Sequence, residues 1–233
     1  MRKAVLRAAL CVAFGWEAAT APNQIAVPAD ASPLVKFAAA EARRYIYVRT
    51  GQLLPIAEGE NIKSDTIVVG SKTYLPAAQP RQDAGDAPWD KARAEQGYVI
   101  KTVPHGAHRL VVIAGSSDVA TLYAAYRFAE LLGVRFYLHG DVVPDERMPW
   151  QLPDFDVEES PLFATRGIQP FHDFPEGPDW WNLDDYKAII GQLPKLRMNF
   201  IGLHTYPEDR PNAEPTVWIG RPEDVREHGR VAH

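Results

Sequence analysis

"FATRGIQPFHDFPEGPDWWNLDDYKAIIGQLPKLRMNFIGLHTY", residues 163–206, decides the fold. Residues 163–168 read as a strand. Asn182 is a good cap for a helix that carries Tyr186, Ile189, Ile190, Leu193 and Leu196 on its inner side. Gly191 and Pro194 should loosen the end of that helix, and residues 198–205 read as a second, buried strand. Strand, loop, helix and strand in this order and size predict a parallel βαβ unit, because parallel strands need a long crossover. One such unit cannot cover both faces of its own sheet. The expectation is therefore the front part of a larger protein.

Upstream, Ser32-Pro33 has the form of a helix cap followed by proline in the first turn. Leu34, Phe37, Ala38, Tyr45 and Val48 fall on one helical face, and Gly51 ends the pattern. Residues 66–70 form a short apolar strand. Residues 76–95, polar and rich in proline, predict a long loop. Residues 97–103 and 109–114 suggest a hairpin about Pro104-His105-Gly106. Ser117 or Asp118 caps a second helix with Val119, Leu122, Tyr126 and Ala129 on one face, Gly133 closes it, and residues 134–138 form another strand. This predicts an α+β domain over 24–143, a mixed sheet with two helices on one face. Residues 144–161 alternate prolines with acids and read as a linker.

Composition narrows the function. The chain of 233 residues is 46% hydrophobic and 24% charged, enough to bury a core. A formal net charge of -5 disfavours nucleic acid and anionic membrane as partners. Arg2, Lys3 and Arg7, then a short apolar stretch, then Ala19-Thr20-Ala21, read as an export signal cleaved after Ala21 (residues 1–21); the alternative is an ordinary N-terminal helix. Cleavage would remove Cys11, the only cysteine, and leave an exported protein without thiols or disulfides. Gly115-Ser116-Ser117-Asp118 carries neither the dinucleotide nor the P-loop pattern, and no nucleophile-elbow serine is present. No cofactor is expected, and His172, Asp173 and His204 match no tight zinc or calcium spacing.

Ligands of parallel α/β units sit beyond the carboxyl ends of the strands. His172 and Asp173 follow the first strand, and His204 and Tyr206 end the second. Trp180-Trp181 lies between them; adjacent residues face apart, so one indole belongs to the core. Arg166, His172, Asp173, Trp181, His204 and Tyr206 are the candidate substrate-binding residues. Aromatic faces suit the apolar faces of a pyranose, while Arg, Asp and His suit its hydroxyls. Arg166 would grip vicinal hydroxyls as a fork; the alternative is an ion pair with an acid of a neighbouring strand.

"GSSDVATLYAAYRFAELLGVRFYLHGDVVP" (115–144) resembles the end of the α+β domain before the barrel in α-glucuronidases and β-hexosaminidase-type glycoside hydrolases. Arg166-Gly167 resembles the start of their first barrel strand. "KLRMNFIGLHTY" (195–206) resembles their second, where a Lys-x-x-x-Asn start leads to a His. The resemblance implies a truncated (β/α)8 barrel over 162–233, a carbohydrate substrate, sugar contacts by Arg166, and His204 in the place of the strand-ending His. Gly202, where a second His is usual, and Pro207-Glu208, where an acidic turn follows, count against N-acetylhexosamine specificity. The family's catalytic acids come from later strands, so none is assigned here; Asp173, Glu176 and Glu208 are expected to position substrate or structure. A glycan-binding module without catalysis is the alternative.

Overall fold

A computed structural model describes residues 21–59, 62–71, 96–170, 177–178, 181–202 and 223. The signal segment before residue 21 and most of the 76–95 loop lie outside the described residues, as do His172, Asp173, Glu176, His204, Tyr206 and Glu208.

Helix α1 (Pro33–Thr50) starts where Ser32 Oγ accepts from Val35 N–H at 3.2 Å and stops at Gly51, whose φ of 79° only glycine adopts freely. Its buried stripe is Val35, Ala38, Ala39, Ala42, Tyr45, Ile46 and Arg49. This corrects the expected face: Phe37 and Val48 are 49% and 40% exposed. Helix α2 (Asp118–Leu131), capped by Ser117, repeats the lesson, with Ala120, Ala124, Ala125 and Ala129 buried and Val119 outside. The two helices pack closely on each other, and close approach of axes selects alanines at the contact rather than large side chains.

Strands β1 (Gln24–Val27), β2 (Ile56–Glu58), β3 (Thr66–Ser71), β4 (Tyr98–His105), β5 (His108–Gly115) and β8 (Asp156–Glu159) form one mixed sheet in the order β2-β1-β3-β5-β4-β8. The pairs among β1, β2, β3 and β5 are parallel; β4 runs antiparallel to β5 and to β8. Both helices pack on one face, over Ile25, Val27, Ile67, Val69, Val111 and Ile113. The alternate residues Val68, Leu110, Val112 and Ala114, with Val99, form a second buried cluster on the other face. Burial on both faces explains why these strands read as continuous apolar runs.

Gly115 is required by the handover from β5 to α2. A Cβ there would lie 2.1 Å from Thr121 N. Thr121 Oγ1 donates to Gly70 O at 3.2 Å and accepts from Gly115 N–H at 3.2 Å, tying the helix start to both central strands.

The hairpin β6 (Arg135–Tyr137) and β7 (Gly140–Val142) follows α2. Phe136 meets Tyr45 and Tyr126 edge-on at 5.4 and 5.6 Å. The 144–161 stretch is more than a linker. Leu152 is fully buried, Trp150 Nε1–H donates to Pro22 O at 2.8 Å, and β8 is the edge strand of the sheet.

Beyond it, β9 (Gly167–Ile168) and β10 (Phe200–Ile201) pair in parallel, with α3 (Leu183–Gln192) between them in the chain. The parallel βαβ order expected from the sequence is present. Its second strand is less buried than expected: Phe200 is 46% exposed and, among the described residues, β10 pairs with β9 alone. Asn182 Oδ1 accepts from Asp184 and Asp185 N–H, and Asp185 accepts from Asn182 N–H, a complete capping box. Since α3 buries no residue of its own, the cap is a large share of what holds it. Asn182→Ala should destabilise the helix by about 1–2 kcal/mol, read as faster amide exchange at Tyr186 and Lys187. Unchanged exchange there would contradict this.

Candidate functional site

The carboxyl ends of β9 and β10 are the ends from which residues 172–173 and 204–206 continue. Arg166 precedes β9 and so stands at the opposite, amino end. Every nitrogen of its guanidinium is engaged. Nε donates to Arg197 O at 2.7 Å, Nη1 to Phe163 O at 2.6 Å, and Nη2 to Gln96 Oε1 at 2.7 Å. The group also lies 5.7 Å from the centre of the Tyr123 ring. Its hydrogen-bond partners among the described residues are backbone carbonyls and a side-chain amide, and not the acid of a neighbouring strand that the sequence offered as an alternative. The following Gly167 has an equally local reason: a Cβ there would lie 1.9 Å from Phe200 O.

Arg166 lines a cleft of about 230 Å³ with Gln96, Tyr98, Tyr123, Glu159 and Arg197, at the seam between the sheet and the βαβ unit. The charges around it are paired within the protein. Tyr98 OH donates to Glu159 at 2.5 Å, Arg127 to the other oxygen of Glu159 at 2.9 Å, and Arg197 to Glu130 at 2.7 Å. Burial, then the bond to Glu159, pushes the Tyr98 hydroxyl well above its ordinary pKa, so it stays a donor. Arg197 has φ of 60°, which costs a non-glycine residue about 1–2 kcal/mol. Its bond to Glu130 and that of its N–H to Pro194 O at 2.9 Å hold the conformation. The cleft is a joint: its polar groups are spent on each other.

Trp181 is half-buried, edge-on to Tyr186 at 5.3 Å, and its N–H donates to Pro178 O at 3.3 Å. Tyr186 OH donates to the same carbonyl at 3.0 Å. These contacts fasten the entry to α3. Arg166 and Trp181 are the described members of the candidate set; they are not in one cluster of contacts.

Sequence reasoning missed a second polar centre. Asp141, on β7, accepts from Tyr45 OH at 2.7 Å and from Lys195 Nζ at 2.8 and 3.0 Å. Both the Asp141 and Lys195 side chains are only 11% exposed. Gln192, turned as its neighbours require, donates to Asp141 at 3.1 Å. Burial acts to raise the Asp141 pKa, but the bonds from Lys195 and Tyr45 outweigh it and hold the carboxyl below its ordinary value. Its stabilising share is complete above the ordinary carboxylate value and is lost as pH falls through the lower value of the folded state. The available signal was Lys195 itself, one of two cations, with Arg197, set among the apolar residues of "LPKLRM". Among the described residues, no group of three or more His, Cys, Asp or Glu is arranged to hold a metal ion.

Comparison with known proteins places these features. Residues 16–128 match the family model of the glycosyl hydrolase family 67 N-terminus. The match covers the half of the chain where the sequence resemblance rested on layout. No curated protein matches the chain. The solved structure of CpGH84D is similar with a TM-score of 0.53 at 11% identity, over 82% of this chain and 30% of that one. A mutant Streptomyces plicatus beta-hexosaminidase in complex with its product GlcNAc aligns with a TM-score of 0.42 at 16% identity, over 77% of this chain and 30% of that one. The first likeness is one of fold, and the second is too loose to argue from. This chain therefore spans about a third of the length of these structures. Residues 16–128 are thus similar to the glycosyl hydrolase family 67 N-terminus, a relationship to the glycoside hydrolases that spans just under half of the chain.

Proposed function

We propose that the chain is the N-terminal part of an exported glycoside hydrolase acting on glycans that contain uronic acid or hexosamine. The family 67 N-terminal match carries this reading. The parallel β9–α3–β10 unit that follows supports its second half, the opening of a (β/α)8 barrel. So do Leu162, Phe163, Leu183, Ile190 and Phe200, large apolar side chains 46–73% exposed and all in this unit, as further barrel strands and helices would cover them. In such a barrel His172, Asp173, Trp181, His204 and Tyr206 face the glycan from the loops after the strands, and Arg166 supports the strand start from beneath. Hydrolysis needs two carboxyl groups roughly 5–10 Å apart, and the later strands supply them.

Export rests on the basic start, the short apolar stretch and Ala19-Thr20-Ala21 at the head of the chain, and strand β1 begins beyond that point, at Gln24. Cleavage there leaves the sheet complete.

The test compares this 233-residue chain with one extended by the downstream reading frame, on aryl α-glucuronides and aryl N-acetylhexosaminides. Turnover by the extended chain alone is expected. Turnover by the short chain would refute the argument from later carboxylates. Tight oligosaccharide binding by the short chain, with neither form hydrolysing, would replace the reading by a glycan-binding module.

A further inference from the structure

We infer that Lys195 and Asn199 are positioning residues that set where β10 stands, Lys195 against the accessory sheet domain and Asn199 against β9. The inference deepens the reading of β9–α3–β10 as the start of a catalytic barrel and rests on it for its functional meaning. Its structural content stands on contacts alone.

Lys195 reaches back to Asp141 at 2.8 Å and also lies 5.8 Å from the centre of the Phe136 ring. Asp141 is fixed in turn by Tyr45 OH, so the cation docks onto a post built from β7 and α1. Asn199, four residues further along, is bonded to the segment that leads into β9. Its Oδ1 accepts from Arg166 N–H at 2.9 Å, its N–H donates to Arg166 O at 2.8 Å, and its Nδ2 donates to Ala164 O at 2.8 Å. Between them Arg197 is held by Glu130 of α2. The chain from 195 to 199 is thus tied at three points before it enters β10. A surface ion pair would do little of this. This pair is nearly excluded from water; losing Asp141 leaves the Lys195 ammonium without its carboxylate, while losing Lys195 leaves Asp141 with Tyr45 OH and the more distant Arg44 at 3.8 Å.

The experiment is amide exchange on the 233-residue chain with Lys195→Met, Asp141→Asn and the double variant. Exchange at Ile168, Phe200, Ile201 and Gly202 is compared with exchange at Val111, Val112 and Ile113. Each single variant should speed exchange in the first set by roughly tenfold or more and leave the second set unchanged. The double variant, which lacks the same contact, should exchange about as fast as the faster single variant and not show the sum of the two effects. Should Asp141→Asn loosen the whole sheet domain, Lys195→Met, which removes nothing from that sheet, decides the matter. Equal acceleration in both sets for Lys195→Met, no acceleration at all, or effects of the two changes that simply add in the double variant would overturn the inference. None of these outcomes depends on glycosidase activity. A failed hydrolysis assay with a positive exchange result would therefore sink the functional reading and leave the docking post standing.

Discussion

Arg49→Ala lowers the stability of the sheet domain by about 3–5 kcal/mol, a large part of what a domain of this size has in total. Arg49 is 7% exposed near the end of α1. Its Nε donates to Leu132 O at 2.8 Å, and its Nη1 donates to Pro144 O at 2.9 Å and Glu146 O at 2.6 Å. Its own carbonyl accepts from Met148 N–H at 2.8 Å. One side chain therefore fastens the end of α2 and the path of residues 144–148 to α1. Truncation removes the charge-assisted bonds and leaves the buried Leu132 carbonyl without its donor, while the carbonyls of the exposed Pro144 and Glu146 turn to water. Arg49→Lys should recover less than half of the loss, since an ammonium is a single point and the carbonyls lie around a planar fork. The urea midpoint of the three proteins, at constant slope, measures both effects. A loss below about 1 kcal/mol for the alanine variant would show that the Leu132 carbonyl finds another donor.

Gly167→Ala disrupts the βαβ unit. The added carbon would overlap Phe200 O, a backbone atom of the paired strand, so no side-chain rotation relieves it. Either β9 and β10 separate or the chain shifts. The ladder bond from Gly202 N–H to Ile168 O and the bond from Asn199 N–H to Arg166 O go with them. The expected cost exceeds the roughly 1–3 kcal/mol of ordinary overpacking, and exchange at Asn199 and Gly202 should rise by roughly a hundredfold or more. Gly191→Ala is the matched control. Nothing lies within 4 Å of its Cβ position and it sits inside α3, so the change should stabilise that helix by about 0.5–1 kcal/mol. Equal behaviour of the two variants would mean that the strand contact is not as close as described.

Much of the architecture was legible in the sequence because local chemistry states it directly. Ser32-Pro33, Ser117 and Asn182 mark helix starts by supplying acceptors to free N–H groups, and the structure uses all three. The β4–β5 hairpin and the βαβ order follow from apolar runs and connection lengths. Four strands were not legible, β1, β2, β8 and the three-residue β7. β1 and β2 are too short to show a period, and β8 reads DVEE, which looks solvated. As an edge strand it places Asp156 and Glu158 at 3.4 and 3.6 Å from Lys101 of β4, so its acids are cross-strand partners. The helix faces were misjudged because alanine carries little weight in an apolar pattern, yet it is what lets two helices touch. Arg166 was rightly singled out as a charge needing partners, but residue type could not say that main-chain carbonyls would supply them. Asp141 and Lys195 were hidden by a separation of 54 positions that only the fold closes.

The edge strand β8 has a consequence for how such chains can be recombined. A breakpoint chosen by composition, anywhere in 144–161, would pass through residues that complete the sheet and through the collar held by Arg49. It would also part Glu130 and Asp141 from Lys195 and Arg197, their partners on the far side. A recombination that keeps these contacts has to move the sheet and the opening of the following unit together. A chimera that grafts this N-terminal layer onto a foreign barrel needs its junction beyond β10, with the donor's residues 195–199 kept.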